Sequence, residues 1–222
     1  SCQNDTRHFD LLHHTTTTPS TTGNENTMKI SVILGHQNPG SYNHAIANRV
    51  LDTLTEMGHE TFFHDLYAEQ FDPVVPHEEL ADESLLPDSV KQHIDELKQV
   101  GGIVLVHPNW WGTPPAILKG WVDRVLRNGF AYQFGPKGPE SFFTDKTVQI
   151  FSTSNTPRDV EINVYGDPLE VFWKTVVFGL CGSKSLERRN FESIIMSTNE
   201  ERRAWLDEVR ETIRRRFAAT GS

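Results

Sequence analysis

From Lys29 onward, short unbroken apolar runs alternate with segments whose apolar residues recur every three or four positions. The first run, KISVIL (29–34), predicts a strand covered on both faces, because a half-solvated strand would alternate. Ile46, Ala47, Val50, Leu51, Leu54 and Met57 follow at helical spacing, and Gly58 stops that helix. HETFFHDL (59–66) reads as a second strand. An irregular stretch with three prolines (67–88) leads to a helix with Val90, Ile94 and Leu97 on one face. GGIVLVH (101–107) is a third strand. AILKGWVDRVLR (116–127) is a helix, with Pro115 at its start, where proline is tolerated. KTVQIFS (146–152) is the fourth strand. A long loop (153–167) precedes the apolar helix PLEVFWKTVVFGLCG (168–182), and NFESIIMS (190–197) reads as the fifth strand. The last helix buries Trp205, Leu206, Val209, Ile213 and Phe217 and turns a Glu- and Arg-rich face to water.

Five strands alternating with helices predict an α/β fold, a parallel sheet with helices on both sides. Ligands in such sheets bind at the carboxyl ends of the strands, beside the point where strand order reverses. The loops that matter are therefore Gly35–Asn43, His107–Pro115 and Ser152–Asp167.

The chain has 222 residues, enough for one sizeable α/β domain. Its first 27 residues are rich in Thr, Ser, Asn and His, and are expected to be a disordered tail before a domain at 28–222. A net charge of -9 excludes a nucleic-acid footprint, and no apolar run is long enough for membrane insertion. Cys2 and Cys181 do not suggest a disulfide framework, so a reducing cytoplasmic setting is expected. His13 and His14 lack a neighbouring third ligand, and no metal site is expected.

GHQNPGSYNHA (35–45) is a strand-to-helix turn without Lys, Arg, a G-x-G-x-x-G turn or a Walker loop. A helix opening near Ser41 leaves N–H groups and a dipole facing the loop, a ready anion site. Ser41, Asn43 and His36 add donors. Equally, Ser41 can simply cap the helix while Asn43 stays in water. In HPNWWGTPP (107–115), Trp110 and Trp111 offer rigid flat area on a proline-stiffened loop, suited to a planar heteroaromatic ring; either indole can instead pack inward or against a second subunit. A phosphate on one loop and a flat ring on the next together point to a flavin nucleotide.

GHQNPGSYN and HPNWWGTPPAILKGWVDRV resemble the phosphate turn and the Pro-x-x-Trp…Pro-Ala-Ile-Leu-Lys-Gly-Trp signature of the flavodoxin-like NAD(P)H:quinone oxidoreductases. That family includes bacterial modulator-of-drug-activity and potassium-efflux ancillary reductases. The resemblance runs from about Met28 to the last helix. It implies a three-layer αβα fold with a five-stranded sheet of order 2-1-3-4-5. It also implies bound FMN, or alternatively FAD, with NAD(P)H as co-substrate and a quinone or similar small-molecule acceptor. By position, His36, Ser41, Tyr42 and Asn43 would hold the phosphate. Pro108, Asn109, Trp110, Trp111 and Gly112 would line the ring. The third loop, STSNTP, departs from the family's Thr-Thr-Gly-Gly, with Ser154, Asn155 and Thr156 in place of backbone amides alone. Tyr165 and His107 are the candidate proton donors, though His107 equally fits a structural hydrogen bond beside Pro108. A homodimer is implied, with Trp110, Trp121 and Phe130 as aromatic surface for it. The alternatives are a regulatory subunit associated with a potassium-efflux transporter, a flavodoxin-type electron carrier, and a hydrolase using Ser41 or Ser152 with a histidine; for the last, no G-x-S-x-G elbow is present.

Overall fold

The computed structural model describes residues 27–218. The polar segment expected to be disordered lies, except for Thr27, outside the described residues. Five parallel strands form the sheet: β1 (Lys29–Leu34), β2 (Glu60–Asp65), β3 (Gly102–Pro108), β6 (Thr147–Thr153) and β7 (Ser185–Phe191), in the order β2-β1-β3-β6-β7. Skipping the small hairpin β4 (Tyr132–Gly135) and β5 (Gly138–Ser141), this is the 2-1-3-4-5 order implied by the resemblance.

Side chains alternate across the central strands, so each strand feeds two cores. Ile30, Val32 and Leu34 of β1, with Val104 and Val106 of β3, meet α1 (Tyr42–Glu56) and α8 (Asn199–Arg216). Ile33, Ile103 and Leu105 point the other way, toward α3 (Asp88–Gln99), α4 (Ala116–Val125) and residues 169–181. Being apolar on both faces is what made β1 and β3 read as continuous runs. Helix α8 starts in a capping box, in which the Thr198 hydroxyl accepts the Glu201 N–H and the Glu201 carboxylate accepts the Thr198 N–H.

Several expectations are corrected. The fifth strand is Ser185–Phe191, not 190–197. This edge strand carries Glu187, Arg188 and Arg189, and its charges are matched by neighbours instead of being excluded. Glu187 pairs with Arg215 and Arg216, Arg188 with Asp167 and Glu170, and Arg189 with Glu208. The apolar Ile194–Met196 that drew the strand assignment is a 3₁₀ turn, with Ile195 and Met196 exposed. Second, the helix expected over 168–182 is present from Pro168 to Cys181, but its middle, Val171–Val177, is wound as a π-helix between α6 (Pro168–Glu170) and α7 (Phe178–Cys181). Third, Trp121 is fully buried in the α3/α4 core, its indole N–H donating to His93 Nδ1 at 3.2 Å, so it offers nothing to a partner subunit. The loop expected over 153–167 contains a short helix, α5 (Arg158–Asn163), and α2 (His77–Ala81) interrupts the proline-rich stretch.

Candidate active site

Beyond the carboxyl ends of β1, β3 and β6 lies a cavity of about 740 Å³. The first, second and third loops all line it. His36, Tyr42 and Asn43 come from the first, Pro108, Asn109, Trp110, Trp111 and Gly112 from the second, and Ser154, Asn155, Thr156 and Tyr165 from the third. Ser41 and His107 do not line it. Thr153, Glu161, Pro168 and Ile194, which the sequence reading did not single out, do.

The first loop forms a helix mouth. Ser41 is the N-cap of α1, and its hydroxyl accepts the His44 N–H at 3.3 Å. The same hydroxyl lies 2.9 Å from His44 Nδ1, and His44 Nε2 lies 3.1 Å from Asp65 Oδ2. Ser41 therefore works within an Asp65–His44–Ser41 chain that anchors the start of α1 and is not turned to the cavity. Ser152 is likewise spent, donating to Asn190 Oδ1 in the core. Neither serine is placed as a hydrolytic nucleophile. The Tyr42 hydroxyl donates to the Arg202 carbonyl at 2.7 Å, away from the cavity, and burial pushes its pKa up.

Among the described residues the N–H groups of Tyr42 and Asn43 have no acceptor, as expected for the first turn of a helix. His36 Nδ1 accepts the Asn38 N–H at 3.0 Å, which puts the neutral ring's proton on Nε2 as a free donor. Burial, then the nearby His44, lower the His36 pKa, which favours the neutral ring. Asn43 is buried; one end of its amide meets Thr153 Oγ1 at 3.0 Å and the other has no partner. A hydroxyl pairs with either end of an amide, so Asn43 can turn its NH₂ to an anion at no loss. The site is thus a cluster of neutral donors at the positive end of a helix dipole.

The second loop is a tight turn. Trp110 and Thr113 exchange both backbone hydrogen bonds, at 2.9 and 3.1 Å, around Trp111 and Gly112. Both central residues have positive φ, +55° and +74°, as in the two-residue turns that normally select Asn-Gly. Gly112 is required twice over, since a Cβ there would also lie 2.7 Å from Pro168 Cγ. A tryptophan at the other central position carries backbone strain, of the kind that collects at working sites. Trp111 is 100% exposed and Trp110 39%.

Glu161 of α5 holds this turn from below. Its carboxylate is buried, accepting Asn109 Nδ2 at 2.8 Å and Ser154 Oγ at 3.4 Å. Asn109 Oδ1 in turn accepts the Gly112 N–H at 2.9 Å. Ser154 Oγ also accepts the Thr156 N–H, and Asn155 Oδ1 the Ile195 N–H. Nothing in the sequence signalled Glu161, because α5 read as loop and its partner Asn109 lies 52 positions earlier.

His107 is corrected as a proton donor. It is fully buried, with Nδ1 2.8 Å from the Pro108 carbonyl and Nε2 accepting the Trp173 indole N–H at 3.0 Å. Burial lowers its pKa to about 4. Both nitrogens are occupied, and no face of the ring reaches the cavity. Tyr165, 60% exposed on the wall, remains in reach.

A family profile for the flavodoxin-like fold matches residues 28–216. An uncharacterized NAD(P)H oxidoreductase of Haemophilus influenzae is 35% identical over 181 residues, 79% of this chain and 89% of the relative. The rat NAD(P)H dehydrogenase [quinone] 1 is 28% identical over 189 residues, 73% of this chain and 68% of that one. The crystal structure of Smu.1420 from Streptococcus mutans superposes with a TM-score of 0.76 at 30% identity, covering 85% of this chain and all of the other. The sheet order, the three loops that converge at its switch point and these matches agree: the chain belongs to the flavodoxin-like fold family of NAD(P)H:quinone oxidoreductases.

Proposed function

We propose that the protein is a flavin-dependent reductase that takes two electrons from NAD(P)H and delivers them to a quinone or a similar small acceptor. The observation that carries this reading is one cavity combining a neutral anion site with an aromatic, strained turn. A flavin, when bound, supplies the two-electron chemistry that the lining side chains lack. The donor set fits such a group. The Tyr42 and Asn43 N–H groups, the free end of the Asn43 amide and His36 Nε2 would hold its phosphate, and a dianion there would draw a proton onto His36. Pro108, Asn109, Trp110, Trp111 and Gly112 would hold the ring system, with Ser154, Asn155 and Thr156 on the remaining side. FMN is the first choice and FAD the alternative.

The chain's own work is then orientation and exclusion of water. His107 fixes the Pro108 carbonyl and Glu161 fixes Asn109, so the second loop is set before any ligand arrives, with the Trp111 N–H as its one backbone donor between residues 108 and 113 not already given to an acceptor. The Tyr165 hydroxyl is the group in reach of solvent that can hand a proton to the reduced acceptor. Trp111 and Tyr165 expose large aromatic area at the mouth, which supports a two-fold homodimer closing over the cavity. Among the described residues no helix is long and apolar enough to cross a membrane, and we place the protein in the cytoplasm.

The test is anaerobic. The chain purified with FMN should lose its yellow colour on adding NADH or NADPH and regain it on adding benzoquinone. A chain that stays coloured with both nucleotides would refute the reading.

A further inference from the structure

We propose that His64, Glu69 and His93 form a zinc site, separate from the cavity described above. The three residues come from β2, the turn after it and α3. One ligand atom from each can be chosen so that all lie within 4.8 Å of one another. The rings of His64 and His93 sit 3.9 Å apart, tilted by 44°, and both residues are buried. Glu69 faces both, with Oε1 2.9 Å from His64 Nδ1 and Oε2 3.7 Å from His93 Nε2. Two imidazoles and a carboxylate are a set that suits zinc.

Four further features support the assignment. Glu96 lies 2.5 Å from His64 Nε2, the ring nitrogen facing away from Glu69. This is the carboxylate–histidine–metal arrangement that fixes the ring and raises ligand basicity. Two carboxylates, Glu69 and Glu96, share one imidazole, leaving excess negative charge for a dication to offset. Arg124, the one Lys or Arg on this wall, is already engaged by Glu79 and Asp72. A cavity of about 420 Å³, lined also by Gln70, Asp72 and Gln92, opens the cluster to solvent and leaves room for a water in the fourth position.

One contact opposes it, and that contact makes the idea testable. The Trp121 indole donates to His93 Nδ1 at 3.2 Å, which places the neutral ring's proton on Nε2. Zinc on Nε2 moves that proton to Nδ1, where it meets the indole N–H, so the Trp121 bond is given up on binding. Removing the indole N–H should therefore tighten the site, whereas a purely structural histidine would only lose a partner.

The tail histidines are rival ligands, so the full-length chain is used with His8, His13 and His14 replaced by Ala. Zn²⁺ is titrated in competition with a chromophoric chelator. One equivalent should bind with sub-micromolar Kd. Glu69→Gln and His93→Ala should abolish binding, and Glu96→Gln should weaken it about 10–100-fold. Trp121→Phe should tighten it about fivefold. Circular dichroism checks each fold, and Glu69→Gln, at a part-exposed position, is the variant least able to disturb it. Loss of zinc binding with the tail substitutions alone, or binding unchanged by Glu69→Gln and His93→Ala, would overturn the proposal and leave a buried histidine between two carboxylates.

Discussion

Asn109 donates from Nδ2 to the buried carboxylate of Glu161 at 2.8 Å, while its own Oδ1 accepts the Gly112 N–H at 2.9 Å. One side chain thus ties the strained tryptophan turn to α5. Truncating either partner strands a buried polar group in the other. Glu161→Ala and Asn109→Ala are each expected to lower stability by about 1–3 kcal/mol. Because they share one interaction, the double variant should lose less than the sum, with a coupling of about 1–2 kcal/mol. Urea denaturation of the four proteins measures it, and strict additivity would contradict the link.

The pair His107 and Trp173 makes a pH prediction. His107 stays neutral in the fold down to about pH 4, while in the unfolded chain it takes a proton near its ordinary value of 6.5. The unfolded state therefore binds the extra proton between those values. The contribution is fully present above pH 6.5, and is lost as the pH falls toward 4, by about 3 kcal/mol in all. Glutamine at this position keeps an acceptor for the Trp173 N–H and does not titrate. His107→Gln should flatten the slope of unfolding free energy between pH 6.5 and 4, and an unchanged slope would mean that other groups carry it.

A change at Trp111 weighs stability against activity. At φ +55° with its indole in water, it gains no burial to offset the strain. Trp111→Asn suits the same turn and should raise stability by about 1 kcal/mol. If the indole serves the ring site, the variant's NAD(P)H-dependent quinone reduction should fall even as its denaturation midpoint rises. A variant neither more stable nor less active would show that Trp111 is an incidental surface residue.

What the sequence disclosed follows from how each part is held. The strands β1 and β3 are covered on both faces and apolar along most of their length, so burial itself wrote them into the pattern. Much of the cavity wall was also legible, because a helix mouth with Asn and His, and paired indoles with Pro and Gly, draw the eye to the loops that line it. Edge strand β7 was misread, since its cost of carrying Arg188 and Arg189 is met by partners more than 15 positions away. The same distance hid Glu161, which acts through a residue 52 positions earlier. Ser41 and His107 were chosen for their chemistry, yet their polar atoms turn out to be consumed by Asp65–His44 and by Pro108 and Trp173.

A change at Asn43 tests phosphate recognition apart from ring recognition. Asn43→Asp places a carboxylate where the proposed phosphate sits, and a like charge about 4 Å away in a partly buried site costs about 4 kcal/mol. FMN affinity should drop at least about 100-fold. Riboflavin, which has the ring and no phosphate, should bind within about twofold of the wild type, because the ring contacts are untouched. Equal losses for both ligands would move the phosphate away from this helix mouth.

The most direct test of the account is an equilibrium titration of the apo chain with FMN, followed by quenching of the flavin's fluorescence. One equivalent per chain should bind, with strong quenching beside the indoles, and Trp110→Leu should relieve the quenching and weaken binding. Flavin fluorescence that stays undiminished through an excess of folded chain would contradict the claim that this helix mouth and this tryptophan turn were brought together to hold one ligand.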